Sequence, residues 1–203
     1  MTIIGNDCVS ARIYEQLGKQ FNTPFTWARI PYDDFIYILE NFKIIDFNNF
    51  YVDLAKHCKT GWDTERFVGH VKIENRLDLL YSHYVQNKKH KVPTKNGLDI
   101  MYDNAISYTK EKYISRLNRM NINDKNLFAV LHQKVDTPNY DISIENCIDF
   151  IQRPLEFTKV AVVYDEELLN INNTNTHIIY IKDKHTTKDI AKKIIKNIIA
   201  NSI

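Results

Sequence analysis

Cys8 is the residue near the start of the chain whose type and position best suit covalent chemistry. The short, β-branched segment before it, residues 2–5, predicts a buried strand. From Val9 onward apolar residues recur at helical spacing as far as Gly18, which predicts a helix that ends there. A cysteine at such a turn faces unpaired backbone N–H groups and the positive end of a helix, and both favour a thiolate and a developing oxyanion. Cys8 is therefore the candidate nucleophile; the alternative is a small buried residue without a chemical role.

Histidines near the ends of predicted strands are the candidate bases. A thiol nucleophile generally needs a histidine, and open α/β sheets form their sites at strand ends. His83 closes an apolar strand and is the first choice, His70 is the second and His132 the third. A structural role within the strand is the alternative for each of them.

Four further residues are candidates for substrate contact: Asn6, Trp27, Arg116 and Arg119. The two arginines lie three apart on a predicted helix, so both guanidinium groups can face one phosphate or carboxylate. Trp27 belongs to a rigid apolar loop close in sequence to Cys8 and could wall a pocket, while Asn6 shares the cysteine's turn. The alternatives are a solvated helix face for the arginines and a core anchor for Trp27.

Composition predicts a folded protein without cofactor or metal. The 203 residues are 44 % hydrophobic and fit one domain, residues 1–203, with a core that needs no disulfide. A net charge of +2 is too small to indicate a nucleic-acid partner. The three cysteines lie far apart, and there is no glycine-rich phosphate loop, zinc motif or Cys-x-x-Cys pair. Without a secretory signal or a run as long as a membrane span, the chain is expected to be cytoplasmic.

The apolar pattern alternates between strands and helices, which is typical of a three-layer α/β/α domain with a mixed β-sheet. After the opening unit, the predicted strands cover residues 68–73, 77–84, 127–131, 159–164 and 178–181. The predicted helices cover 31–42, 50–58, 98–120, 144–152 and 187–200. The two strands joined by a short turn near residue 75 predict an antiparallel element within the sheet.

Short motifs follow one another in a characteristic order along the chain. They are Ile3-Ile4-Gly5-Asn6-Asp7-Cys8, Ile13-Tyr14-Glu15-Gln16-Leu17-Gly18, Asn22-Thr23-Pro24-Phe25, Asp34-Phe35 and Phe42, then His83-Tyr84, Arg116 and Arg119 before Asn121, and Lys159-Val160-Ala161-Val162. This series resembles a bacterial domain family of unknown function associated with exopolysaccharide biosynthesis, whose opening reads Ser-Asn-Asn-Cys, Ile-Tyr, Leu-Gly and Asn-Ser-Pro-Phe. The match spans most of the chain and is densest in its first quarter.

The opening is also similar to the papain-like cysteine peptidases of bacterial capsule loci. Those proteins carry an Asn-x-Cys turn followed by Pro-Phe-Asp-Trp, which Asn6-Asp7-Cys8 and Pro24-Phe25-Thr26-Trp27 match with Thr26 in place of the aspartate. That replacement removes a carboxylate that could orient a histidine. The two resemblances imply an α/β/α fold, a role in making or modifying surface glycans, and a site at Cys8 and His83.

Three hypotheses follow for the function. In the first, an enzyme uses Cys8 for acyl transfer or hydrolysis on a glycan or an activated sugar or acyl substrate, with His83 or His70 as base. Arg116 and Arg119 hold an anionic portion of the substrate in that hypothesis. In the second, a glycan-transferring enzyme keeps a structural Cys8 and holds a donor phosphate with Arg116 and Arg119. The third is a non-catalytic binding or assembly protein of a polysaccharide complex.

Overall fold

The computed structural model describes residues 1–57, 66–81, 95–134, 140–172, 175–182 and 185–198. In chain order its elements are β1 (Thr2–Gly5), α1 (Val9–Gln16), α2 (Tyr32–Asn41), β2 (Phe50–His57), β3 (Arg66–Ile73), β4 (Leu77–Tyr81), α3 (Lys95–Leu117), β5 (Leu127–His132), α4 (Ile144–Gln152), β6 (Thr158–Val163), a 3-10 turn at Glu166–Asn170, β7 (Thr176–Tyr180) and α5 (Thr187–Asn197).

A four-stranded parallel sheet in the order β1-β5-β6-β7 forms the centre of the fold. Gly5 lies opposite Val130, and His132 lies opposite Val162. All four strands run in the same direction, so their carboxyl ends meet at one edge of the sheet. That edge therefore brings together the residues that follow β1, β5 and β6.

Successive residues of the parallel strands point to opposite faces, and each face is buried by a different layer. On one face, Ile3, Val130 and Val162 pack with apolar residues of α1 and α5. On the other face, Ile4 and Ala129 pack with α2, α4 and the second sheet. Burial on both faces explains the nearly continuous apolar sequences of β5 and β6.

The second sheet is antiparallel, with the order β2-β3-β4. It is connected to the segment after α1 by a bridge in which Arg29 N donates to Leu80 O at 2.8 Å and Leu80 N to Arg29 O at 3.0 Å. The long helix α3 packs on this sheet through Tyr113, whose ring centroid lies 4.3 Å from that of Phe50. The antiparallel sheet thereby positions both the arginine-bearing helix and the loop leading into α2.

The α/β class predicted from the sequence is confirmed, and the parallel and antiparallel strands lie in two sheets. The helix predicted for residues 50–58 is wrong, because Phe50–His57 forms strand β2. Its first four side chains show the reason: Phe50 and Val52 pack against the core while Tyr51 and Asp53 are exposed. That period of two belongs to a half-buried strand. Within the described part of the chain, no helix is long and apolar enough to cross a membrane.

Replacing Gly69 with alanine tests how closely α3 packs on the antiparallel sheet. A Cβ at position 69 would lie 2.4 Å from Oγ1 and 2.7 Å from Cγ2 of the buried Thr109 on α3. We expect Gly69→Ala to lower the free energy of unfolding by about 1–3 kcal/mol, the usual cost of overpacking, as measured by urea denaturation. Thr109→Ala removes both atoms, so Gly69→Ala should cost much less in that background. An equal loss in both backgrounds would contradict this packing.

Candidate functional site

The side chain of Asn6 extends the pairing of β1 and β5 beyond the last residue of β1. Its Nδ2 donates to His132 O at 3.0 Å, and its Oδ1 accepts from His132 N at 2.8 Å. The amide thus bonds the backbone of β5 as a neighbouring peptide group would, in a position that is 1 % exposed. Because Asn6 begins the turn that holds Asp7 and Cys8, these two hydrogen bonds fix that turn beside the end of β5.

Asp7 and His132 form a buried carboxylate–imidazole pair. Asp7 Oδ2 lies 2.6 Å from His132 Nδ1, and both side chains are at most 5 % exposed. A carboxylate can only accept, so Nδ1 carries the proton in this contact. In the neutral ring Nε2 is then the acceptor, and it lies 3.1 Å from the hydroxyl of Tyr164. Asp7, His132 and Tyr164 therefore form one chain of hydrogen bonds in which both ring nitrogens are engaged.

Local contacts hold the Asp7 carboxylate in place. Its second oxygen, Oδ1, accepts from Val9 N at 2.8 Å and so satisfies one of the free N–H groups in the first turn of α1. The hydroxyl of Ser10 donates to Asp7 O at 3.2 Å. The same residue thus caps the helix and orients the imidazole.

Cys8 follows Asp7 in the sequence and comes directly before α1. It is 8 % exposed, and Arg12 N donates to its carbonyl oxygen at 3.2 Å. The helix N-terminus favours negative charge on the sulfur. Cys147 offers a contrast within the same chain: it lies in α4, fully buried, and burial raises the pKa of its thiol to about 12.

Gln133 connects the ends of β5 and β6 beneath the Asp7–His132–Tyr164 chain. It is 3 % exposed, its Oε1 accepts from Tyr164 N at 2.6 Å, and its Nε2 donates to the carboxylate of Asp165. The Nζ of Lys134 lies 4.9 Å from the ring centroid of Tyr164. These contacts position the phenol that faces His132.

The structure brings together Cys8, Asn6 and the third-choice histidine. His132 ends β5 at the carboxyl edge of the parallel sheet, whereas His70 lies on β3 of the other sheet with its Nδ1 3.8 Å from Asp78 Oδ1. His83 lies outside the described residues. Of the two candidate histidines that the structure describes, His132 is therefore the one bonded to the turn that carries Cys8, through Asn6 and Asp7.

Asp7, Gln133 and Tyr164 were missed by the sequence reasoning. Each is a polar residue within two positions of the end of a parallel strand, and that position was the signal available for finding them. Position at a strand end singled out only histidines, so these three residues were not predicted. Among the described residues, no group of three or more His, Cys, Asp or Glu side chains could hold a metal ion.

Of the predicted arginine pair, Arg116 lies on α3 and Arg119 lies two residues after its end. Both contact the loop after α1. Arg116 is 4 % exposed and donates through Nη1 to Thr26 O. Arg119 donates through Nε to Phe21 O at 2.7 Å and through Nη1 to Ser115 Oγ at 2.8 Å. Both guanidinium groups thus hold main-chain carbonyls of residues 21–26.

Trp27 lies at the end of that loop and packs beside α1. Its φ of 63° places it in the left-handed region, which costs about 1–2 kcal/mol for a residue with a Cβ. The guanidinium carbon of Arg12 lies 4.7 Å from its ring centroid, and the ring of Phe21 meets it edge-on at 6.4 Å. These contacts compensate for the backbone strain and keep the indole close to the helix that follows Cys8.

Asp7→Asn should invert the tautomer of His132. The asparagine can still accept from Val9 N through its oxygen, but its NH₂ group would then face Nδ1 and donate to it. The proton should therefore move to Nε2, which would donate to the hydroxyl of Tyr164. At a pH where the ring is neutral, ¹H–¹⁵N correlation spectra should show the Nδ1–H form in the wild type and the Nε2–H form in the variant. His70 serves as the control ring, and an unchanged His132 tautomer would contradict the assignment.

Comparison with known proteins gives a family. No curated protein matches the chain at a significant level. The family model described as "Domain of unknown function (DUF1919)" matches residues 1–194 and so covers almost the whole chain. The resemblance to a domain family of unknown function is confirmed at that level, and the chain belongs to the DUF1919 family.

Proposed function

We propose that this protein is a cysteine-dependent acyl-transfer or hydrolytic enzyme that acts on a glycan or an activated precursor in bacterial exopolysaccharide or capsule synthesis. Cys8 is the nucleophile, His132 the base and Asp7 the carboxylate that orients the base. The observation that carries the proposal is the buried 2.6 Å contact between Asp7 Oδ2 and His132 Nδ1, one residue from a cysteine at a helix N-terminus. The glycan substrate class rests on the family resemblance alone.

The proposed reaction has two steps. In the first, His132 takes the thiol proton, the sulfur attacks the acyl carbon, and the leaving group departs with that proton as a thioester forms on Cys8. In the second, His132 takes a proton from water or from an acceptor hydroxyl, and the oxygen attacks the thioester. The Cys8 sulfur then leaves and takes that proton back from His132, which restores the thiol and the neutral ring. Asp7 stays ionised throughout and stabilises the imidazolium form of His132.

The hydroxyl of Tyr164 occupies the position from which the thiol proton must reach His132 in this mechanism. It bonds His132 Nε2, the nitrogen that must accept the proton. The thiol proton therefore reaches the ring either through the phenol or after the phenol yields its place to the substrate complex. In both cases Tyr164 keeps the ring plane fixed before substrate binds.

The described contacts support the nucleophile hypothesis more than the phosphate-binding one. The latter needs Arg116 and Arg119 to hold a donor phosphate, and both direct donors to main-chain carbonyls of the loop after α1. His132, in contrast, has the oriented carboxylate that a base requires.

Alkylation by iodoacetamide, followed peptide by peptide with mass spectrometry, tests the role of Cys8. In the native protein at pH 8 we expect Cys8 to react at least about 100-fold faster than Cys147, because a thiol whose pKa is raised to about 12 is almost entirely protonated there. His132→Gln, which can still bond Asp7, should slow alkylation of Cys8 about tenfold or more.

Matched variants make the result decisive. His70→Gln removes a histidine of the other sheet and should leave the rate at Cys8 unchanged. His83→Gln examines the first-choice base, and a loss of rate there with none in His132→Gln would transfer the role to His83. If Cys8 reacts only after denaturation, the protein does not use it as a nucleophile.

A further inference from the structure

Arg29 carries buried donors with no acceptor. The residue is 6 % exposed, and its Nε and Nη1 atoms are fully buried without a hydrogen-bond partner among the described residues. A buried guanidinium is costly unless its charge and its N–H groups are matched by acceptors. An unsatisfied group of this kind points to a ligand or ion that the fold is built to receive.

The backbone of Arg29 places it beside the candidate site. Ile30 N donates to Asn6 O at 3.0 Å, so the segment carrying Arg29 pairs directly with the turn that holds Asp7 and Cys8. The opposite side of Arg29 is bonded to Leu80 of β4 through the bridge described above. Arg29 therefore lies between the carboxyl edge of the parallel sheet and the antiparallel sheet.

Tyr140 belongs to the same neighbourhood. Two residues further on, Ile142 N donates to Gln133 O at 2.8 Å, which places this segment next to the end of β5. The pKa of Tyr140 is raised, mainly by burial and further by Asp78, while the charge of Arg29 lowers it. The phenol thus lies within electrostatic range of the guanidinium.

Two carboxylates lie in this region, and neither has a hydrogen bond to Arg29. Asp34 Oδ2 accepts from Asp78 N at 2.9 Å, and burial raises the pKa of Asp34, so burial disfavours its negative charge. Asp78 Oδ1 lies 3.8 Å from His70 Nδ1 and 3.9 Å from Lys72 Nζ, and it is a buried oxygen without a hydrogen-bond partner among the described residues. Neither aspartate satisfies the buried donors of Arg29.

We propose that Arg29 binds an oxyanion of the ligand, a carboxylate or a phosphate, beside the turn that carries Cys8. A planar guanidinium matches either group with charge-assisted hydrogen bonds. That the oxyanion belongs to the substrate rests on the proposed function; the anion site itself does not. The role expected from the sequence for Arg116 and Arg119 thus falls to a third arginine, whose Nε and Nη1 have no hydrogen-bond partner among the described residues.

Arginine-selective NMR titration tests the site. The Nε–H signal of Arg29, assigned with Arg29→Lys, should shift saturably as inorganic phosphate or acetate replaces chloride at constant ionic strength. Arg153 is the matched control, since its guanidinium already bonds Asp149 and Glu40 at an exposed position. Saturation by one anion alone identifies its class, and saturation by both identifies a general oxyanion site. A signal that stays still, or that drifts linearly as Arg153 does, overturns the proposal.

Thermal unfolding separates binding from a structural role. Arg29→Met should leave the unliganded protein as stable as the wild type or more so, because it removes unsatisfied donors, and the saturating anion should stabilise the wild type more than the variant. A variant that is strongly destabilised without anion, and equally stabilised by it, would instead make Arg29 structural. Cys8→Ala should retain the anion response; if Cys8 proves unreactive while Arg29 still saturates, the proposed function fails and the anion site stands.

Discussion

The two hydrogen bonds between the Asn6 side chain and the backbone of His132 are the connection on which the candidate site depends. Strand pairing alone aligns β1 with β5 only as far as Gly5 and Val130. The amide of Asn6 continues that register past the strand end, so the residues after β1 cannot rotate away from the end of β5. A residue without an amide would leave two buried peptide groups of β5 unpaired, at about 1–3 kcal/mol for each group.

With the turn held in this position, the two oxygens of the Asp7 carboxylate make two different contacts. One closes the first turn of α1 and the other holds the imidazole of His132. Helix start and site geometry are therefore coupled through a single side chain. This coupling explains how a helix of only eight residues holds the turn at Cys8 in place, since its first turn is anchored from outside the helix.

Three arginines lie near the loop after α1, and they differ in which hydrogen-bond acceptors their guanidinium groups reach. Arg116 and Arg119 reach across from α3 and its end to main-chain carbonyls, which fixes the loop in place. Arg29 lies at the end of that loop, is about as buried as Arg116, and has two donors without acceptors among the described residues. Side chains of equal charge thus support the fold in two cases, while the third carries two buried donors that no described residue satisfies.

Much of the fold could be predicted because its signals are local. The β-branched run before Cys8, the helical spacing in α4 and α5, and the apolar runs of β5 and β6 each report their own burial over a few residues. The error at Phe50–His57 arose where that signal is mixed, because Tyr51 is aromatic yet exposed, and its place between Phe50 and Val52 hides the period of two in the sequence.

The sequence by itself determined the α/β class and the turn that places Cys8 between a strand and a helix, since both depend on neighbouring residues. Only the tertiary structure decided which histidine joins that turn. Asn6 and His132 are 126 residues apart, and the contact between them exists because β1 pairs with β5. Strand order is set by how whole layers pack, and no local pattern encodes it. For the same physical reason Arg29 could be distinguished from Arg116 only in the folded chain, where two of its donors find no acceptor in the part of the chain that the structure describes.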